Sequence, residues 1–225
     1  MHPTLGSLLL RAIALFMRSP DITLPAPLVE MAQGLMSARR SRMVMVNMQA
    51  MGASVSMHRA ETVVVRRGQS LDSYTILWIN AADHVMRAET INTPTATYQR
   101  RDLQGAWTQS EPDGEQPNAL LTQSLGALGT TARWTVLGEE QIRGELCAGH
   151  QVARATDGGG EEQATLWIAR ASLRPVELLA LTVHGGRPLS DLGIAHTPIS
   201  TPHMVLSQVV TWGEWDSTAL AIPVI

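Results

Sequence analysis

The sequence predicts an α+β fold: a curled, mostly antiparallel β-sheet, in effect a half-open barrel, with a few helices covering its concave face. Two observations carry this expectation. Short β-rich runs bounded by Gly, Pro and Asp recur from Met43 to Trp212, whereas helical spacing appears only near the start and once in mid-chain. Helices set against a long series of strands give a sheet with a few covering helices, and a sheet of about eight or more antiparallel strands curls because strand twist accumulates. Residues 1–24 read as an N-terminal helix and linker, and residues 25–225 as a single β-domain.

Taken in order, Leu5, Leu8, Leu9, Ala12, Ile13 and Phe16 share one helical face within Thr4 to Met17. That segment is interrupted by Arg11 and too short to span a bilayer. It reads either as an amphipathic helix packed on the domain or as a degenerate or truncated export or anchoring segment. Pro25 and Pro27 suit a helix entry, and Leu28, Met31, Ala32, Leu35 and Met36 recur at helical spacing. Met43 to Val46 begins a strand, Gly52 marks a turn, and Val55 to Arg66 is a second strand ending at Gly68. Thr75 to Asn80 and Val85 to Ile91 form a hairpin around Leu77-Trp78-Ile79. Thr165 to Ala169 and Val176 to Val183 form a similar one around Leu166-Trp167-Ile168. Between them lie Thr95 to Arg101, a turn at Asp102, a helix over Ala119 to Leu128 with Asn118 as its N-cap, and strands at Arg133 to Leu137 and Glu145 to Ala155. Arg187 to Pro202 is a long loop with three prolines, and Met204 to Trp212 is the last strand.

Composition narrows the function classes. The chain has 225 residues, 44% hydrophobic and 16% charged, which is globular and lightly charged, so apolar surface remains for a ligand, partner or membrane. Its net charge of -3 and its lack of a basic patch beyond Arg39 to Arg42 argue against nucleic acid. All seventeen basic residues are Arg, which reads as coding bias. The single cysteine, Cys147, cannot form an intramolecular disulfide and suits a small buried hydrophobe in a strand.

No catalytic residue, metal or cofactor is nominated. The chain has no G-x-S-x-G elbow, no H-E-x-x-H helix and no phosphate-binding glycine loop. His196 and His203 lack a third ligand at a telling spacing. The early methionines, including Met31, Met43, Met45, Met48 and Met57, read as core packing or an adaptable apolar wall. A thioether metal site is disfavoured because Met48 is opposite in parity to Met43 and Met45. Strand alternation instead nominates an apolar ligand surface: Met43, Met45, Val63, Val65, Leu166, Ile168, Val176 and Leu178. In the long loop, Leu189, Leu192 and Ile194 read either as a lid over the open mouth of the sheet or as a permanent edge contact.

A family resemblance rests on motif order across residues 28–215. Leu28 to Ala38 leads into Ser41-Arg42-Met43, and Val85-Met86-Arg87-Ala88-Glu89 carries an R-x-E element. Asp102 to Trp107 forms a G-x-W-like turn, and Leu137 to Gly144 resembles a G-x-E-x-I-x-G strand entry. Leu166-Trp167-Ile168 followed by Leu173-Arg174-Pro175-Val176 resembles an L-W-I-D and L-P-V-R hairpin. In this order the motifs resemble the LolA-type lipoprotein-carrier superfamily, which includes LppX/LprG-like lipid-binding lipoproteins and RseB-like sensor domains. The chain departs from the group in showing neither a clean signal peptide nor an N-terminal lipidation cysteine. The resemblance implies a half-open barrel, an extracytoplasmic location, and an apolar cavity for lipid, an acyl chain or a lipidated partner, without catalysis. It also implies an alternative, a sensor or regulatory module binding a membrane-associated protein such as an anti-sigma factor.

Overall fold

The computed structural model describes residues 25–51, 54–68, 70–81, 84–102, 105–112, 134–155, 161–184 and 204–224. The expected helices at Thr4 to Met17 and Ala119 to Leu128, and the loop from Arg187 to Pro202, lie outside the described residues. One helix is described, α1 (Ala26–Ser37). Pro27 sits in its first turn, where a missing N–H costs nothing. Its last turn carries no basic residue of its own. Arg66 supplies one from the sheet, donating to the carbonyls of Ala38 at 3.2 Å and Leu35 at 3.5 Å.

Eleven strands follow among the described residues. They are β1 (Arg40–Met51), β2 (Ser54–Arg67), β3 (Ser70–Ala81), β4 (His84–Asn92), β5 (Thr97–Arg101) and β6 (Thr108–Ser110), then β7 (Thr135–Ile142), β8 (Glu145–Ala155), β9 (Glu161–Ala169), β10 (Pro175–His184) and β11 (Met204–Gly213). They form one sheet in the order β6-β5-β4-β3-β2-β1-β11-β10-β9-β8-β7. Every pairing is antiparallel. Two meanders, β1 to β6 and β7 to β11, are therefore joined where the last strand pairs with the first. Among the described residues the sheet is not closed into a barrel: β6 and β7 are its edges. β6 is three residues long, and β7 carries Glu139 and Glu140 and a register shift beside Gly138, features that blunt edge-to-edge pairing.

The connections explain why neighbours in sequence are neighbours in space. The β7–β8 turn places Arg143 and Gly144 at φ 53° and 85°, the paired left-handed geometry of a two-residue hairpin whose twist matches the strands. The start of β1 and the segment after β11 are then tied together. Asp216 accepts hydrogen bonds from the Arg39 and Arg40 N–H groups at 2.6 and 3.2 Å and from Arg174 at 2.6 Å. The same short tail pairs Glu214 with Arg42 and lays Trp215 under the Arg174 guanidinium, 5.2 Å from the ring centroid.

Residues paired across antiparallel strands point to the same face, so the register separates the two faces of the sheet. On the face that carries α1, Leu28 and Met31 pack with Met43, Met45, Ala60, Val152, Leu166, Ile168, Leu178, Val210 and Trp212. This is the main core. A smaller cluster of Cys147, Trp167, Ala169 and Val176 occupies the opposite side near the β9–β10 turn. Gly149 lies directly across from Trp167, and a Cβ there would stand 2.5 Å from the indole. The ring thus fills the space the glycine leaves.

Candidate functional site

The apolar floor of the α1 face is built by one cross-strand row, Met45–Val210–Leu178–Leu166, running over β1, β11, β10 and β9. Each of these residues is at most 5% exposed. Two residues further along the strands, the next row is Asn47–Gln208–Ala180–Ala164, and the one after it is Gln49–Leu206–Thr182–Glu162. Here the face is open. A groove of about 230 Å³ is lined by Asn47, Gln49, His58, Ala180, Thr182, Leu206, Gln208 and Glu162, with Met48 and Ser207 also at its wall. Strand alternation thus carries most of the lining from a packed apolar floor to an amphipathic channel.

The polar side chains of the channel are held in place. Gln208 Nε2 donates to Asn47 Oδ1 at 3.0 Å and reaches the Met45 sulfur at 3.4 Å. Its Oε1 is buried and accepts no hydrogen bond among the described residues. A buried acceptor without a partner costs about 1–3 kcal/mol, so a ligand hydroxyl or amide placed there recovers that cost. Gln49 Nε2 lies 3.3 Å from the Met204 sulfur. His150, beside Leu166 on the same face, has its pKa lowered, chiefly by burial. Among the described residues no three His, Cys, Asp or Glu side chains converge on a metal position.

The sequence-nominated surface residues divide in three. Met43, Met45, Leu166, Ile168 and Leu178 come together in the main core beneath α1. Val63 and Val65 do not join them. Met43 pairs with Thr62 and Met45 with Ala60, which sends the odd-numbered valines of β2 to the other face. Val176 lies in the smaller cluster with Trp167, because the register shifts between Pro175 and Glu177. Leu189, Leu192 and Ile194 lie outside the described residues. Conversely, Asn47, Gln49, Ala180, Leu206 and Gln208 line the groove and were not nominated. The available signal was the alternation itself: continuing from Met43 and Met45 by twos reaches Asn47 and Gln49.

No known family model matches the chain, and no curated protein does. Solved structures do. The chain is similar to the crystal structure of the Mycobacterium tuberculosis lipoprotein LppX, with 13% identity over 89% of this chain and 96% of that one, at a TM-score of 0.48. It is similar to a DUF1329 family protein from Desulfovibrio piger, with 12% identity, coverage of 86% and 91%, and a TM-score of 0.32. A LolA superfamily protein from Nitrosomonas europaea is similar at 10% identity, coverage of 83% and 88%, and a TM-score of 0.29. The solved structures it is similar to thus include a lipoprotein and a LolA superfamily protein.

Proposed function

We propose that this chain is a non-catalytic binder or carrier of a lipid, an acyl chain or a lipidated partner, working in the cell envelope. The observation that carries the reading is the groove on the α1 face, continuous with an apolar floor and bordered by fixed amides. An acyl chain lies over Ala180 and Leu206, and its polar end meets Asn47, Gln49 and the free acceptor of Gln208. The floor residues Met43, Met45, Leu166, Ile168 and Leu178 act from behind, as the wall that keeps the channel dry. Each methylene buried contributes about 0.8 kcal/mol, so a short stretch of chain gives useful affinity without catalytic or ionic contacts. The groove is smaller than the roughly 300–1,000 Å³ of typical drug-sized sites, which fits one chain segment rather than a whole multi-chain lipid.

Native mass spectrometry of the purified full chain, and titration with a fluorescent fatty acid, test this reading. The wild type retains lipid or binds the probe, and Ala180→Trp, which fills the half-buried groove wall, weakens probe binding at least about tenfold, or 1.4 kcal/mol. Absence of both lipid and probe binding in the wild type would overturn the proposal, as would an Ala180→Trp variant that binds the probe unchanged.

A further inference from the structure

The polar end of the groove presents a defined pattern of donors and acceptors. Gln208 Nε2 donates to Asn47 Oδ1 at 3.0 Å and reaches the Met45 sulfur at 3.4 Å. Turning this amide over would set its oxygen against two acceptors, so the thioether and the neighbouring carbonyl fix which way it points. Its Oε1 is thereby left as a buried acceptor with no partner among the described residues. Asn47 gives its oxygen to Gln208, and its Nδ2 group is a donor. The two residues are cross-strand partners on β1 and β11, and both line the groove. Together they offer an acceptor and a donor side by side.

Charge and hydrogen bonding then decide between headgroups. An anionic headgroup calls for a guanidinium, the donor fork that matches carboxylate and phosphate. All seventeen basic residues of the chain are Arg, yet none is among the described residues lining the groove, whose ionisable side chains are His58 and Glu162. Arg154 stands across from Glu162 on β8, three strands from Gln208, or about 14 Å at the ordinary strand spacing. A carboxylate also cannot donate, so it leaves the Gln208 acceptor unpaired. An ester without a hydroxyl fails in the same way. An ammonium cannot accept, so it leaves the Asn47 donor unpaired. A hydroxyl both donates and accepts, and it carries no charge to desolvate.

We propose that this end of the groove selects an uncharged, hydroxyl-bearing acyl lipid, a monoacylglycerol being the simplest, over a free fatty acid or a capped ester. The inference rests on the lipid-binding reading and names the class of ligand that the same groove takes. The hydroxyl donates to Gln208 Oε1 and accepts from Asn47 Nδ2, while the chain lies over Ala180 and Leu206.

Titration of the full chain with one fluorescent acyl chain in three forms tests it: the glycerol monoester, the methyl ester and the free acid, all at neutral pH. Apolar burial alone ranks the methyl ester first, because its head is the least hydrated. The wild type instead binds the glycerol monoester roughly tenfold tighter than the methyl ester, and binds the free acid more weakly than the glycerol monoester. Gln208→Met keeps the length of the side chain and removes the acceptor, so the lead of the glycerol monoester over the methyl ester shrinks to within about twofold. A wild type that binds the methyl ester as tightly as the glycerol monoester, or the free acid most tightly, overturns the preference and leaves the groove reading standing. So does a folded Gln208→Met protein that keeps the full lead. A wild type that binds none of the three overturns the groove reading and the preference with it.

Discussion

Replacing Gly34 by alanine separates a packing role for α1 from ordinary helix behaviour, because the two give opposite signs. In an unencumbered helix interior, Gly→Ala stabilises by about 1 kcal/mol. Here the helix lies against the β9–β10 turn. A Cβ on Gly34 would stand 2.0 Å from the Leu173 carbonyl oxygen, 2.5 Å from its carbon and 2.7 Å from Arg174 Cα. All three are backbone atoms, so no side-chain rotation relieves the clash. Leu173 is already at φ 57°, a conformation with little freedom to yield. Reaching ordinary contact at 3.4 Å requires the helix to lift by 1.4 Å. Lifting loosens Leu28 and Met31, now 6% and 2% exposed, each of whose full burial is worth about 1.5–3 kcal/mol. Losing roughly half to all of that for both residues, less the propensity gain of about 1 kcal/mol, gives a net destabilisation of about 0.5–5 kcal/mol. At about 2–4 °C per kcal/mol for a chain of this size, the melting temperature falls by roughly 1–20 °C. Gly213→Ala is the control, because a Cβ there meets nothing within 4 Å. Thermal and urea denaturation measure both. A Gly34→Ala protein as stable as the wild type or more so would refute the docking of α1 on the turn.

Two further outcomes follow from the clusters already described. Trp167→Ala removes the ring that covers Gly149 and fills the small outer cluster, and is expected to cost about 3–5 kcal/mol. An unchanged urea midpoint would show that the ring is not a core element. Acid weakens the clasp between the tail and β1. Burial pushes the Asp216 carboxyl up, but the Arg39 N–H, the Arg174 guanidinium and the Arg40 N–H outweigh it and hold the group below its usual 3.8. Glu61 is likewise pushed up by burial and held below 4.5 by Arg42 and Arg59. Both carboxylates have a folded pKa below the unfolded one, so their contribution is complete above about pH 5 and disappears as the pH falls through the folded values. Urea midpoints measured from neutral pH down to about pH 3 should therefore fall less steeply in Asp216→Asn than in the wild type. Identical slopes would remove Asp216 from the account.

Much of the sheet was legible because its strands carry local signals that need no partner. The Leu166-Trp167-Ile168 run with Pro175 at the entry of the returning strand specifies a hairpin on its own, and β9 and β10 stand where the sequence put them. β1, read as beginning with Met43 to Val46 and turning at Gly52, extends from Arg40 to Met51. Less legible was what its second half presents: alternation carries Asn47 and Gln49 onto the α1 face, and polar residues are passed over when that face is assumed to be dry throughout. The groove is where that assumption fails.

Facing was the least legible property, and β2 shows why. Val63, Val64 and Val65 are contiguous, so the apolar pattern has no period from which parity can be taken. What decides it is size matching with β1. Met43 and Met45 are long and lie across from Thr62 and Ala60, each at most 3% exposed, so large side chains are set beside small ones in one layer. Had Val63 and Val65 faced the same way as Met45, bulky residues would have met bulky ones, and Glu61 would have been driven under α1 instead of pairing with Arg42 and Arg59 on the outer face. A buried carboxylate without those partners costs several kcal/mol, more than any gain from turning two valines inward. The register of β2 is thus fixed by where Glu61 can be charged, and that choice leaves the small residues Ala60 and Thr62 on the face that carries the groove.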